Sequence, residues 1–208
     1  MPGTPALLTF AAISLLLAVT PGPDMAVVTK NALTHGRRGV LLTTTGIAFA
    51  LLLWVSGTAV GVAALIRASG GLFVVLKIAG GLYLGYLGLR AWWDSRLPQP
   101  DMLAPGPASP AGSVLRQGFL SAATNPKLGV FFVTFLPQFV NPHGSLVAQL
   151  LLLGAIFALL GWLWLNVYGL AIARLRAIIT APPVRRWMER VTGSVLIGLG
   201  LRLVLERT

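Results

Sequence analysis

Long apolar runs without charge constrain the fold of this chain more than any other feature of its sequence. Residues 40–66 and 144–173 contain no charged side chain, and residues 6–29 contain only Asp24. A helix that crosses a lipid bilayer needs about 20 largely apolar residues. Only 10% of the 208 residues are charged, whereas soluble domains carry roughly 25%. The sequence therefore predicts an all-α integral membrane protein rather than a soluble domain.

Three further runs bring the predicted number of transmembrane helices to six. Residues 70–89 are interrupted only by Lys77, and residues 118–141 only by Lys127. Residues 187–205 are the weakest candidate because they contain three charged side chains. Hydropathy alone thus predicts five firm helices and a sixth that needs other support.

An internal repeat supports the sixth helix. In residues 77–85 a basic residue is followed by glycines three and eight positions later, and residues 190–198 have the same pattern. We expect these glycines to allow close helix contacts. Residues 1–96 and 113–208 then form two halves of three helices each, joined by a Pro-rich cytoplasmic linker at 97–112. Because three is odd, the second half is inverted in the membrane, as in many secondary transporters.

The distribution of basic residues predicts the orientation of the chain. Lys and Arg cluster in the first, third and fifth loops, whereas Arg67 is the only one in the second and fourth. Loops rich in Lys and Arg stay in the cytoplasm, which places both termini on the outer side. Basic loops also contact anionic lipid headgroups. The net charge of +11 therefore indicates membrane lipid as a partner, and we expect no nucleic acid.

Helices 1 and 4 are predicted to be broken. Residues 20–24 place two prolines and a glycine inside the first apolar run, and residues 124–127 place a proline inside the fourth. Proline lacks a backbone N–H and glycine adds backbone freedom, so neither helix is expected to be continuous. Breaks at equivalent places in two halves are typical of a transporter's substrate site. The predicted substrate- and proton-binding residues are Thr20, Pro21, Gly22, Pro23, Asp24, Thr124, Asn125, Pro126 and Lys127.

Asp24 and Lys127 suit a zwitterionic ligand. Charges within membrane spans are costly and usually face a cavity. We expect the Asp24 carboxylate to hold an ammonium group, while Lys127 and free backbone N–H groups receive a carboxylate. Asp24 is also the natural proton carrier, so that substrate and proton would exchange at one residue.

Other interpretations of the same residues stay open. Asp24 also fits a purely structural role at a helix N-terminus, whose positive end favours a carboxylate. Asp24 and Lys127 also fit a neutral buried pair, and the prolines fit packed kinks. A non-transporting membrane scaffold or assembly protein needs such a dry, paired arrangement, whereas an exporter needs a water-accessible cavity that reaches Asp24. A passive amino-acid channel is a further alternative.

The residues offer little for metal, redox or hydrolytic chemistry. The chain has no cysteine, and its two histidines and five carboxylates are too few and too scattered for a metal site of another kind. No serine has a plausible histidine or aspartate base beside it. We therefore expect no metal, no cofactor and no enzymatic activity.

Several motifs, taken in order, resemble one known family. They are TPGPD at 20–24, GRRG at 36–39, LKIAGGLYL at 76–84, NPK at 125–127 and FLPQFV at 135–140. In order and spacing they are similar to the LysE/RhtB family of bacterial amino-acid exporters, over almost the whole chain apart from the linker. The resemblance implies export of an amino acid or a derivative across the bacterial inner membrane, driven by protons. It also implies a site near the two broken helices, and it places the predicted outer termini in the periplasm.

Three properties stay open: the substrate, the ion coupling and the oligomeric state. Family members with nearly the same motifs export different amino acids, so the substrate is not implied. Many members carry asparagine where this chain has Asp24, which bears on ion coupling and on substrate charge. The glycine-rich faces allow packing within one chain or between the two chains of a homodimer, so the oligomeric state also stays open.

Overall fold

The computed structural model describes residues 2–68, 70–96, 110–141, 144–179 and 182–205, and this part of the chain is helical without strands. Residues 97–109 of the predicted linker lie outside the described residues. The α-helices are α1 (Thr4–Val19), α2 (Pro23–Ala68), α3 (Gly70–Asp94), α4 (Ala111–Ala123), α5 (Pro126–Val130), α6 (Leu146–Ile179) and α7 (Pro182–Leu205). After α5 the chain continues as a π-helical turn, Phe131–Phe135, and a 3₁₀ turn, Leu136–Phe139.

Helix α2 is a hairpin of two helical arms rather than one straight rod. Its 46 residues include Gly36, whose φ of 57° and ψ of −142° are not helical. In a continuous helix, residues 12 positions apart would lie about 18 Å apart. Instead the Asn31 amide donates to the Thr43 hydroxyl at 2.9 Å, so the chain reverses between them. The turn at 36–39 thus separates a short first arm, 23–35, from a long second arm.

The two helix breaks expected from the sequence are confirmed. Helix α1 ends before Thr20, whose backbone is extended, and α2 starts at Pro23. Helices α4 and α5 meet at Thr124 and Asn125, and the segment Pro126–Phe139 is bent by 47° relative to α4. Because Pro126 supplies no N–H, it occupies the first turn of α5 without losing a hydrogen bond.

Membrane-length helices are fewer than the six predicted. In the part of the chain described, α2, α3 and α6 are long and apolar enough to cross a membrane, and α4 with the bent segment Pro126–Phe139 adds a fourth candidate. Helix α1 has only 16 residues, although the first arm of α2 directly follows it. The arrangement of six spans in two inverted halves therefore stays a prediction.

Close helix contacts join the elements that contain the two breaks. Helix α2 packs against α4 and α6, and α3 packs against α7. Gly46 and Gly118 let α2 and α4 approach to backbone contact, since a Cβ on either would collide with the other helix. The Phe131 ring of the π-helical turn lies 4.5 Å from the Phe157 ring of α6, measured between centroids. These contacts hold α4, α5 and α6 around the breaks.

Only some glycines of the internal repeat make close contacts with another helix. A Cβ on Gly193 would collide with the carbonyl of Gly88, so α3 and α7 touch there through their backbones. Gly80 packs instead against Thr134. Gly198 makes no close contact within this chain, because it is exposed and nothing lies within 4 Å of a Cβ built there; a contact there between two chains stays a prediction. Gly200, two positions later, makes the close contact with α3, since it lies on the other side of the helix.

Candidate functional site

The ammonium group of Lys127 reaches from the second break to the end of α1. Its Nζ donates to the carbonyl oxygens of Leu17 and Thr20, each at 3.2 Å, and to the Thr20 hydroxyl at 2.9 Å. The last carbonyls of a helix have no partner within the helix and carry its negative dipole end. Lys127 therefore satisfies groups that the break leaves free.

The carboxylate of Asp24 reaches in the opposite direction, from the first break to the end of α4. Its Oδ1 accepts a hydrogen bond from the Ser121 hydroxyl at 2.6 Å, and its Oδ2 accepts one from the Asn125 amide at 2.9 Å. The Asn125 side-chain oxygen in turn accepts from the Lys127 backbone N–H at 3.1 Å. Asn125 is thus both the N-cap of α5 and a partner of Asp24.

Each charge is held by the other broken helix rather than by the opposite charge. Asp24 and Lys127 both lie in the described part of the chain, and their charged atoms form no ion pair within 4 Å. Their side chains nevertheless border the same cavity. The direct, neutral pair that a purely structural role would use is not formed in this conformation.

The cavity between the breaks has a volume of about 30 Å³. A single water needs roughly 10–15 Å³ by this measure, so the space holds about two waters. Its polar end is formed by Thr20, Gly22, Asp24 and Lys127. A Cβ on Gly22 would lie 3.5 Å from the Lys127 ammonium nitrogen, so a larger side chain at this position would occupy space beside the Lys127 ammonium group.

The remaining predicted site residues shape the breaks but do not border the cavity. Pro23 and Pro126 are exposed at the first positions of α2 and α5. Pro21 is half-buried in the extended segment between α1 and α2. Thr124 is exposed, and its hydroxyl donates to the Leu120 carbonyl of its own helix at 2.7 Å. The structure therefore brings five of the nine predicted residues together, Asn125 among them through its bond to Asp24.

Sequence reasoning missed two residues that serve the breaks. Ser121 precedes Asn125 by four positions, and residues four apart share a helix face, so this spacing was the available signal. The indole N–H of Trp54 donates to the Ala122 carbonyl at 3.1 Å, which stabilises the end of α4. No local pattern marks Trp54 for this role, because its partner lies on another helix.

Two side-chain hydrogen bonds join α6 to the two arms of α2. The Thr29 hydroxyl lies 2.9 Å from the Tyr168 hydroxyl, and the Thr44 hydroxyl donates to the Asn166 side-chain oxygen at 3.2 Å. Thr29 lies five positions after Asp24 on the first arm. Neutral hydrogen bonds of this kind contribute only about 1 kcal/mol each, so they can separate without unfolding the helices.

Fold and site together define a helical membrane protein in which two broken helices bring an acid, Asp24, and a base, Lys127, to one cavity. Each of these side chains is bound by the other broken helix. The family model described as LysE type translocator matches residues 15–207. The chain therefore belongs to the LysE type translocator family, as its motifs suggested.

Curated relatives match along nearly their full length. The chain is 29% identical to the uncharacterized membrane protein YrhP of Bacillus subtilis, covering 96% of this chain and 99% of that one. It is 27% identical to a homoserine/homoserine lactone efflux protein of Salmonella typhimurium, covering 93% of each chain. It is 24% identical to a threonine efflux protein of Escherichia coli, covering 96% and 98%. No solved structure gives a significant match.

Proposed function

We propose that this protein is a secondary active transporter that exports amino acids or their derivatives from the cytoplasm in exchange for protons. One observation carries the proposal: Asp24 and Lys127 enter the same cavity from two broken helices without pairing with each other. The efflux proteins among the relatives, named for threonine and for homoserine, support amino acids as the substrate class.

The substrate's two charges replace bonds that the empty site makes internally. Its ammonium group takes the place of the Ser121 and Asn125 donors around Asp24, which are the two groups that now satisfy the carboxylate. Its carboxylate draws the Lys127 ammonium away from the Thr20 hydroxyl and the α1 carbonyls. Because both charged groups have hydrogen-bond partners without substrate, the empty site has a low free energy, and this favours release of the substrate.

Proton coupling arises because the proton and the substrate compete for Asp24. A protonated Asp24 no longer attracts an ammonium group, and a carboxylate that holds an ammonium group does not bind a proton. Proton entry from outside therefore displaces the substrate outward. The remaining cation, Lys127, keeps the site from becoming negatively charged when it is empty.

The membrane arrangement that fits this mechanism is six spans in two inverted halves. We place the protein in the bacterial inner membrane with both termini periplasmic, because the basic residues cluster in alternate loops. In this arrangement α1 and the first arm of α2 together form span 1, and α4 and α5 form span 4. The two breaks then lie at equivalent depths, so one movement of the halves exposes the cavity to either side.

The experiment is uptake by proteoliposomes that contain the purified protein, with and without an imposed pH gradient. A panel of labelled amino acids, including threonine, homoserine, leucine and lysine, identifies the transported class. Asp24→Asn keeps the size of the side chain and removes its charge. Asp94→Asn is the matched control, because Asp94 is exposed and pairs with Arg90 on its own helix at 3.8 Å.

The proposal predicts saturable uptake that the gradient accelerates, with the acceleration lost in Asp24→Asn and retained in Asp94→Asn. Gradient-independent uptake by the wild type contradicts proton antiport, and uptake that never saturates favours a channel. Absence of transport for every amino acid on the panel contradicts the exporter and favours a membrane scaffold.

A further inference from the structure

Most of the side chains that line the cavity are apolar. Its only polar lining side chains in the described chain belong to Thr20, Asp24 and Lys127, which meet through the bonds at the two breaks. The other lining residues in the described chain are Leu17, Ala18, Gly22, Met25, Ile47, Leu51, Leu128, Phe157, Gly161 and Leu165. The cavity has room for about two waters in this conformation, so binding requires its walls to move apart. A ligand held by its ammonium and carboxylate groups beside Asp24 and Lys127 then directs its side chain against the apolar lining residues.

This apolar lining cannot satisfy a polar substrate side chain. The Thr20 hydroxyl lies beside Lys127, where the substrate carboxylate binds, and it donates to the Leu17 carbonyl. A hydroxyl or charged group placed against the leucines would lose its hydration without gaining a partner, which strongly disfavours binding. An aliphatic side chain gains from burial at the same place.

We propose that the exported amino acid carries a neutral, apolar side chain, and that Gly161 sets how large that side chain can be. This inference rests on the proposed function and goes further, because the named efflux relatives act on substrates with a hydroxyl or lactone group. Gly161 is buried on α6 and borders the cavity. It leaves open the space that a side chain at this position would occupy.

The geometry at Gly161 allows a clean test of cavity size. A Cβ built on it would have Leu51 Cδ1 as its nearest neighbour, at 3.9 Å, which is an ordinary van der Waals contact. Gly161→Ala therefore fits without displacing a neighbour and only narrows the cavity. Gly57→Ala is the matched control, since Gly57 is an exposed helical glycine whose Cβ would meet nothing within 4 Å.

The first measurement is competition against labelled leucine uptake in proteoliposomes. Unlabelled isoleucine, methionine and valine should inhibit leucine uptake well. Threonine and homoserine should need a concentration about ten times higher, or more, for the same inhibition, and lysine and glutamate should hardly inhibit. Stronger competition by threonine, homoserine or lysine overturns the apolar assignment while leaving an amino-acid exporter in place. Absence of any amino-acid uptake overturns both the inference and the proposed function.

The second measurement compares the two alanine variants for substrates of different size. Gly161→Ala should raise the KM for leucine about tenfold, the low end of the effect of one methyl group in an apolar pocket, and change the KM for alanine much less. Gly57→Ala should change neither. Equal effects on leucine and alanine, or equal effects of the two variants, overturn the role of Gly161 in setting size.

Discussion

Replacing Lys127 with methionine should destabilise the protein markedly, because the ammonium group joins the two breaks. Methionine keeps a flexible, unbranched stem of similar length and removes only the charge and the donors. Three acceptors at the end of α1, namely the Leu17 and Thr20 carbonyls and the Thr20 hydroxyl, lose their partner. At a net value of about 1 kcal/mol per hydrogen bond, the expected loss is about 3 kcal/mol.

The assay is thermal unfolding of the purified protein in detergent, followed by the loss of the monodisperse peak in size-exclusion chromatography. A chain of this size loses about 2–4 °C in Tm per kcal/mol, so Lys127→Met should lower the Tm by roughly 6–12 °C. Lys30→Met is the matched control, because Lys30 is exposed and makes a single long bond of 3.4 Å to Gln117. Surface contacts of this kind contribute about 0–1 kcal/mol. Equal Tm values for the two variants would refute the capping role of Lys127.

Three further substitutions test other parts of the structure. Ser121→Ala removes the hydroxyl that donates to Asp24 at 2.6 Å in the empty site. Because this bond favours release of the substrate, the gradient-driven uptake rate should fall about tenfold or more while the helices stay folded. Gly36→Ala forces a side chain into a φ of 57° and ψ of −142°, and should cost about 1–3 kcal/mol in thermal unfolding. Tyr168→Phe removes the partner of the Thr29 hydroxyl, and should change the rate of substrate exchange with a stability loss of only about 1 kcal/mol.

Matched controls exist for each of these substitutions. Ser194→Ala removes an exposed hydroxyl that bonds only to the carbonyl four residues before it, Gly57→Ala adds a methyl group in open space, and Tyr86→Phe alters an exposed tyrosine. If Ser121→Ala transports as well as Ser194→Ala, Ser121 does not assist Asp24. A Gly36→Ala variant as stable as Gly57→Ala argues against strain at the turn. Unchanged exchange in Tyr168→Phe excludes a role for the Thr29 contact in opening.

The breaks and their charges were predictable because their causes are local. Proline and glycine within an apolar run interrupt a helix wherever it packs, so the sequence alone indicated where α1 and α4 end. A charge beside each interruption is equally visible, and Asp24 and Lys127 do border one cavity. The turn at 36–39, which coincides with the GRRG motif, also has a local cause, since Gly36 adopts a positive φ.

The partners of these charges could not be predicted, because they depend on how distant helices pack. Nothing in the sequence indicates that Lys127 reaches the carbonyl of Leu17, which is 110 positions away. The same holds for Ser121 and Asp24, 97 positions apart. The choice of Gly200 rather than Gly198 as the packing glycine depends on the rotation of α7 against α3, which a glycine spacing alone does not determine.

Competition between substrate and proton for Asp24 can be measured as proton release on substrate binding. Purified protein in weakly buffered detergent solution, with a pH indicator, is titrated with leucine while calorimetry records binding. Leucine binding should acidify the solution, because the ammonium group displaces the proton from the Asp24 carboxylate. Asp24→Asn should bind leucine without releasing a proton, and Asp94→Asn should behave like the wild type. Leucine binding to the wild type without proton release at any pH tested would contradict competition at Asp24.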